Sequence, residues 1–259
     1  MEKLFESLIS TWWGITILCV VALAVWMFLS AWLYKPFFKR FYDIVLSGLA
    51  LIILSPILLI LIILGAIKMK GNPFFTQLRP GKNEKIFKLI KFRTMTCEKD
   101  ENGNLLPDEK RLTKYGRILR STSLDELPEL INIFIGDMSI VGPRPQLIRD
   151  LVFMNKTQRD RHSVRPGLTG LAQVNGRNNI TWEEKFVYDL QYLEKISFFK
   201  DLALIFKTVL KVLKRSDVER EGTVSDIDYG DWLLIEGKVT REEYDQKQAE
   251  AKTLVVEKV

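Results

Sequence analysis

A chain of 259 residues has room for one catalytic domain of ordinary size plus membrane segments, but not for a second enzyme. An apolar fraction of 47% with 11% aromatics excludes a disordered protein, and much of that apolar content lies in two runs near the N-terminus. The net charge of +6 suits nucleic acid, lipid head groups or nucleotide phosphates, while the two cysteines, Cys19 and Cys97, form neither a disulfide framework nor a metal pattern and fit a reducing compartment.

Residues 11–33 carry no charge. As a helix they reach about 34 Å, enough for a hydrocarbon core of roughly 30 Å, so a transmembrane helix is expected. Trp12 and Trp13 near one end and Trp32 and Tyr34 near the other are placed as an aromatic belt would be. The run is too long for a signal peptide, its leader is not basic, and no A-x-A site follows. Lys35, Lys39 and Arg40 follow it, which puts its C-terminal end in the cytoplasm by the positive-inside rule.

A second uncharged run, residues 44–67, holds Ser55 and Pro56 near its middle. Pro56 cannot donate to the carbonyl of Ile52, so a kink is expected there. Lys39 and Arg40 before the run and Lys68, Lys70, Arg79 and Lys82 after it ask for cytoplasm on both sides. A re-entrant hairpin meets that demand better than a Pro-kinked spanning helix, each half of about 11 residues reaching roughly the midplane and returning.

From about residue 72 the chain turns polar. FFTQLRPG and KIFKLIKFRTM read as short strands around a Pro-Gly turn, GNLLPDEKR as a surface loop and LTKYGRILR as a short basic helix. SLDELPELINIFI, residues 123–135, predicts a helix with Leu127, Leu130, Ile131, Phe134 and Ile135 on one apolar face. VGPRPQ and VRPGLTGLAQVNGR are Pro- and Gly-rich loops. A helical pattern returns between Trp182 and Arg215, where Lys200, Lys207, Lys211 and Lys214 oppose Phe198, Leu202, Ile205, Val209 and Leu213. Such a basic amphipathic helix suits a membrane interface or a packed helix with a solvated lysine face. The last stretch, 231–259, reads as a charged tail with some helical character.

P-loop, nucleophile-elbow and zinc-protease signatures are missing from the sequence. The lone histidine, His162, lies between arginines and suits a surface or hydrogen-bonding role better than that of a base. What remains is carboxylates and arginines. Asp125 and Glu126 open the 123–135 helix, where free N–H groups favour an acidic side chain or a bound phosphate. A carboxylate there suits attack on phosphorus and a neighbouring one suits Mg2+, but Ser123-x-x-Glu126 is equally a capping box. Arg120, Arg93 and Arg144, the last held between Pro143 and Pro145, are suited to bidentate phosphate recognition. Gly167, Gly170 and Gly176, with Arg165, Pro166 and Asn175, are candidates for a loop around a phosphate or uracil.

Taken together, RSTSLDELPELINIFIGDMSIVGPRP, RHSVRPGLTGLAQVNGRN, KIFKLIKFRTM and the Ser-Pro run follow the order found in one family. Over residues 37 to about 224 the chain resembles the monotopic phosphoglycosyl transferases, bacterial sugar transferases that initiate glycoconjugates on polyprenyl phosphate. The resemblance implies that the re-entrant helix breaks at Ser55-Pro56, that Asp125 is the nucleophile and Glu126 its partner, both near Mg2+, and that Arg120 and Arg144 serve the substrate phosphates. Lys91 and Arg93 of KIFKLIKFRTM join that phosphate set. The expected protein is α/β and membrane-associated: a transmembrane helix over 1–36, a transferase domain over 37–228 that includes the re-entrant helix 44–67, and a charged tail over 229–259. Its domain would be mainly helical and cytosolic, with short strands and amphipathic interfacial helices. The expected partners are a UDP-sugar, polyprenyl phosphate, membrane lipids, and later glycosyltransferases or a second copy, with no nucleic acid. The setting implied is the cytoplasmic face of the bacterial inner membrane. A non-catalytic scaffold for anionic lipid or polysaccharide and a UDP-releasing glycosyltransferase are the alternative readings. The spanning helix is an addition to the small members of the family, and the tail departs from their pattern.

Overall fold

The computed structural model describes residues 2–176, 180–214 and 227–258. The chain is mostly helical there, with two separate strand pairs and two helices long and apolar enough to cross a membrane. The first, α1 (Glu2–Trp32), has its Thr11–Leu29 stretch exposed all round, with Trp12, Trp13 and Trp32 exposed as well. Tyr34, expected in an aromatic belt, is instead buried. A short π-helical segment, Tyr34–Phe38, turns the chain onto the domain, so the Tyr34 hydroxyl donates to Asp201 at 2.8 Å. Lys39 reaches the same carboxylate at 2.6 Å, and Arg40 donates to the carbonyls of Ile133 and Phe134.

The stretch expected to break at Ser55-Pro56 is a single helix, α2 (Lys39–Lys68). Pro56 leaves the carbonyl of Ile52 without its usual N–H, and the Ser55 hydroxyl donates to that carbonyl at 2.8 Å in its place. Asp43 near one end and Leu61 and Gly65 near the other are buried, while Ile52, Ile53, Leu59, Ile60 and Ile63 are exposed.

Strands β1 (Phe74–Pro80) and β2 (Ile86–Phe92) form an antiparallel hairpin around the expected turn, with Phe74 opposite Phe92 and Pro80 opposite Ile86. Phe87 and Leu89 enter a core with Leu130, Ile133 and Met138, joined by Ala50, Leu51 and Leu54 of α2. The two-residue period of a strand puts Lys91 on that same face, at its far end.

After the loop come α3 (Asp108–Arg111) and α4 (Lys114–Ser121), the latter being the expected basic helix, capped by Thr113, whose hydroxyl accepts from the N–H of Gly116 at 2.9 Å. The predicted 123–135 helix is shorter than its pattern. Pro128 has no N–H for the carbonyl of Leu124, so Leu124–Glu126 forms a single 3-10 turn and α5 (Glu129–Ile135) begins after it. The apolar face shifts accordingly: Leu130 and Ile133 are buried, whereas Ile131, Phe134 and Ile135 are exposed. Asn132 docks α5 on β2 like an extra strand, accepting from the N–H of Ile90 at 3.0 Å and donating to the carbonyl of Lys88 at 2.8 Å.

Strands β3 (Ser139–Val141) and β4 (Gly167–Thr169) pair in parallel, with α6 (Ile148–Leu151) and α7 (Lys156–Arg159) between them and α8 (Leu171–Val174) after them. The helical pattern expected between Trp182 and Arg215 divides into α9 (Trp182–Glu194) and α10 (Phe198–Lys214), Arg215 lying outside the described residues. Helix α10 has three sides. Asp201 and Leu204 face the core, the four lysines occupy another side, and Phe199, Leu202, Phe206, Val209 and Leu213 are exposed on the third. Ile205, expected on the apolar side, packs with the core instead.

The expected tail forms α11 (Tyr229–Ile235) and α12 (Arg241–Lys258), and these helices are part of the core. Tyr229, Leu233 and Ala251 pack with Leu151, Phe153, Trp182 and Phe186, and buried Asp150 accepts from the N–H of Tyr229 at 2.9 Å. The expected boundary near 224–228 lies partly outside the described residues. Leu233→Ala should lower stability by about 2–4 kcal/mol, as emptying a buried leucine site does. A thermal unfolding midpoint in detergent that stayed at the wild-type value would show that this hairpin does not stabilise the domain.

Candidate active site

The site forms where β2, α4, the 3-10 turn and the loop after β3 converge. The turn is entered through Ser123, held in the left-handed region at φ 55°. In that conformation its side chain caps nothing, and Glu126 reaches away from the turn, so the expected capping box does not form. Glu126 Oε1 instead lies 3.0 Å from Lys91 Nζ and 2.8 Å from Arg144 Nη2. Lys91 also lies 2.9 Å from Glu129, a buried third carboxylate at the start of α5. Arg120 comes in from α4, its Nε donating to Thr94 Oγ1 at 3.1 Å.

Burial raises the Asp125 carboxyl to about 6, and the adjacent charge of Glu126 adds to the rise, while Lys91, Arg120 and Arg144 oppose it. Burial also raises Glu129, against the pull of Lys91. For Lys91 burial acts downward, but Glu126 and Glu129 outweigh it, so its ammonium is held above the usual lysine value. The result is a protonatable carboxyl beside an anchored carboxylate, ringed by three cations. Asp125 and Glu126 are the carboxylates that could hold a divalent cation together with phosphate oxygens and water; among the described residues no group of three or more such ligands occurs.

Of the residues expected from sequence, Asp125, Glu126, Lys91, Arg120 and Arg144 come together. Arg93 lies just beyond β2, where its N–H donates to the carbonyl of Pro73 at 2.7 Å. The candidates of the glycine-rich loop are engaged in contacts within the domain. Arg165 caps α5 through the carbonyl of Gly136 at 2.7 Å. Gly167 and Gly170 let two backbones meet, since a Cβ on either would fall 2.1 or 2.2 Å from an atom of Gly142, and the Gly167 N–H is taken by the carbonyl of Pro143. Asn175 is exposed and donates to the carbonyl of Leu171, and Gly176 closes on Ile180. Arg177 and Asn178 of that motif lie outside the described residues. His162 is buried rather than at the surface; its Nδ1 meets the carbonyl of Arg159 at 3.2 Å, and burial, then Arg161, pushes it down to about 3.

Sequence reasoning missed Glu129 and Thr94. Glu129 had a visible signal, a charge four residues before Ile133 in an otherwise apolar stretch. Thr94 had none, because its role depends on the close approach of α4: a Cβ on Gly116 would fall 1.9 Å from the Thr94 carbonyl oxygen.

The family profile described as bacterial sugar transferase matches residues 34–215. An uncharacterized sugar transferase of Bacillus subtilis, EpsL, is 48% identical over 187 residues, which cover 72% of this chain and 93% of that protein. A UDP-glucose:undecaprenyl-phosphate glucose-1-phosphate transferase of Klebsiella pneumoniae is 42% identical over 67% of this chain and 40% of its own. The protein of that name from Escherichia coli is 37% identical, again over 67% of this chain and 39% of its own. The chain thus spans nearly all of the first relative but only about two fifths of the other two.

A carboxyl raised on folding makes its ionised form a liability. The folded state holds the Asp125 proton more tightly than the unfolded chain does, so the penalty is absent below about pH 4, grows through pH 6 and is complete above it. Asp125→Asn should therefore raise stability at pH 7.5 by up to about 3 kcal/mol, and the gain should vanish near pH 4. A thermal unfolding series across that range checks this; a variant less stable than wild type at pH 7.5 would contradict it.

Proposed function

Because the chain belongs to the bacterial sugar transferase family, we propose that it moves a phosphosugar from a UDP-sugar to polyprenyl phosphate at the cytoplasmic face of the bacterial inner membrane. The observation that carries this reading is the pairing of Asp125, raised to about 6, with a Glu126 fixed by Lys91 and Arg144. The names of the Klebsiella and Escherichia relatives specify the same kind of donor and acceptor.

In the proposed reaction an ionised Asp125 oxygen attacks the sugar-proximal phosphorus. The bond from that phosphorus to the bridging oxygen breaks, and UMP leaves with the bond's electron pair. An oxygen of polyprenyl phosphate then attacks the phosphorus of the aspartyl phosphosugar, freeing the Asp125 carboxylate and giving a polyprenyl diphosphosugar. Lys91, Arg120 and Arg144 ring the dyad where equatorial phosphate oxygens gather negative charge. Glu126 holds Lys91 and Arg144 in position and, with Asp125, would bind Mg2+. When bound, that ion supplies charge neutralisation to the diphosphate and its leaving group.

We read α2 as re-entrant. Asp43 accepts from Ser139 and the N–H of Ile140 in its first half, and Leu61 packs with Phe92 and Leu119 in its second. Leu54 and Leu58, on either side of Pro56, join clusters that share Leu127. A spanning helix would carry one half about 20 Å or more away from a cytosolic domain. Exposed Phe199, Leu202, Phe206, Val209 and Leu213 of α10, with the α10 lysines beside them, fit the lipid interface on the same side.

Single cysteines at positions 70 and 207 should both be labelled from the cytoplasmic side only; labelling of position 70 from the periplasm would end the re-entrant reading. Asp125→Asn should abolish UMP release while remaining folded in the membrane, and Glu126→Gln should slow it by about 100-fold or more. Wild type given UDP-sugar alone should release UMP and gain one phosphosugar on a peptide containing Asp125. Its rate should fall below about pH 6 as that carboxyl protonates. UMP release that strictly requires lipid, with no adduct, would exclude the covalent route, and UDP as product would exclude phosphosugar transfer altogether.

A further inference from the structure

The turn that presents Arg144 is flanked by two prolines, so it lacks the N–H groups of Pro143 and Pro145, and its carbonyls must find donors elsewhere. All three consecutive carbonyls do. The N–H of Gly167 donates to Pro143 at 2.9 Å, Arg161 Nη2 donates to Arg144 at 2.7 Å, and Arg79 Nη1 donates to Pro145 at 3.2 Å. The two arginines are held in turn. Arg161, 2% exposed, bonds Asp189 of α9 through Nε at 2.9 Å and Nη2 at 2.6 Å. Arg79, on β1, donates from Nη2 to Gln77 at 2.6 Å, and among the described residues no carboxylate lies within ion-pair distance of it. Its charge therefore stands near that of Arg144 without close neutralisation, and burial, then Arg144, lowers it to about 10, which leaves it charged at neutral pH. Asp150 and Glu129 act on it only from beyond ion-pair distance, and its place there is explained by the carbonyl it holds.

We propose that Arg79 and Arg161 are positioning residues of the transferase. They grip successive carbonyls of the Pro143-Arg144-Pro145 turn from two separate segments of the chain and so fix the Arg144 guanidinium on Glu126 and the phosphate site. Neither group needs to touch substrate: Arg161 is buried in its pair with Asp189, and the Nε of Arg79 is buried as well. The arrangement also ties the site to the C-terminal hairpin, because α9 carries both Asp189 and the Trp182 and Phe186 that Tyr229 covers. The catalytic part of this inference rests on the proposed phosphosugar transfer; the mechanical part does not.

Arg79→Lys keeps the charge but loses the fork that spans Gln77 and the Pro145 carbonyl, and Arg161→Lys loses the fork on Asp189 and Arg144. Each should lower kcat/KM for the UDP-sugar by about 10- to 100-fold. In an Arg144→Ala background the same substitutions should change turnover by less than about twofold, since they would act through a side chain already gone. General destabilisation would instead lower activity equally in both backgrounds. Hydrogen exchange of peptides covering residues 142–150 should speed up in Arg79→Lys and stay unchanged over 229–258. Full additivity with Arg144→Ala, or unchanged exchange at 142–150 in a folded Arg79→Lys, would overturn the proposal. If Arg161→Lys does not fold, Arg79→Lys carries both measurements. If wild type releases no UMP from any UDP-sugar, the functional reading fails, and the exchange comparison alone decides whether the arginines hold the turn.

Discussion

Two adjacent carboxylates repel each other, and partial burial makes that repulsion stronger. Asp125 and Glu126 stand side by side because cations from three separate segments surround them: Lys91 from β2, Arg120 from α4 and Arg144 from the loop after β3. Much of the fold serves to bring those segments to one place. Asn132 locks α5 against β2, Gly116 lets α4 press on the Thr94 carbonyl, and Gly142, Gly167 and Gly170 bring two backbones close enough to aim the Arg144 turn. Burial and the adjacent charge of Glu126 outweigh those cations at Asp125, whose carboxyl is raised to about 6.

The membrane-facing parts obey the same rule that polar groups need partners. Pro56 deprives one carbonyl in an apolar helix of its donor, and the preceding serine supplies it from its own side chain. Asp43 lies buried within α2, yet it accepts from Ser139 and Ile140 of the domain. At the entry to that helix, Tyr34 and Lys39 bond buried Asp201, which Tyr192 of α9 holds from within the domain, so the anchor is fastened to the domain by two hydrogen bonds. The large side chains left exposed along α2, Ile52, Ile53, Leu59, Ile60 and Ile63 among them, are hydrocarbon, as a lipid contact requires.

The C-terminal hairpin extends the domain beyond the residues that the family profile matches. Tyr229 and Leu233 cover Trp182 and Phe186, and Lys247 donates to the carbonyl of Val152 at 2.9 Å. Through α9 and the Arg161–Asp189 pair, that packing reaches the main chain of Arg144 itself.

The apolar runs, the strand hairpin and the dyad were legible in the sequence because each is a local pattern of hydrophobicity, turn residues or charge. The length of the 123–135 helix was misread, since one proline changes the hydrogen bonding of the turn before it without disturbing the spacing of the leucines. Gly167 and Gly170, candidates for a phosphate cradle, sit where two backbones meet, and a charged tail proved to bury tyrosine and leucine. Those outcomes depend on what lies opposite each residue in space. By itself the sequence determined where two runs long and apolar enough to cross a membrane lie, and which carboxylates and arginines are its candidates for phosphate chemistry. Only tertiary structure decided that Glu129 and Thr94 join the site, through Lys91 and Arg120, and that Arg79 and Arg161 bond one turn from segments far apart in the chain. The reason is physical: a salt bridge or a buried carbonyl selects its partner by distance and by the absence of water, and neither is encoded in the order of residues alone.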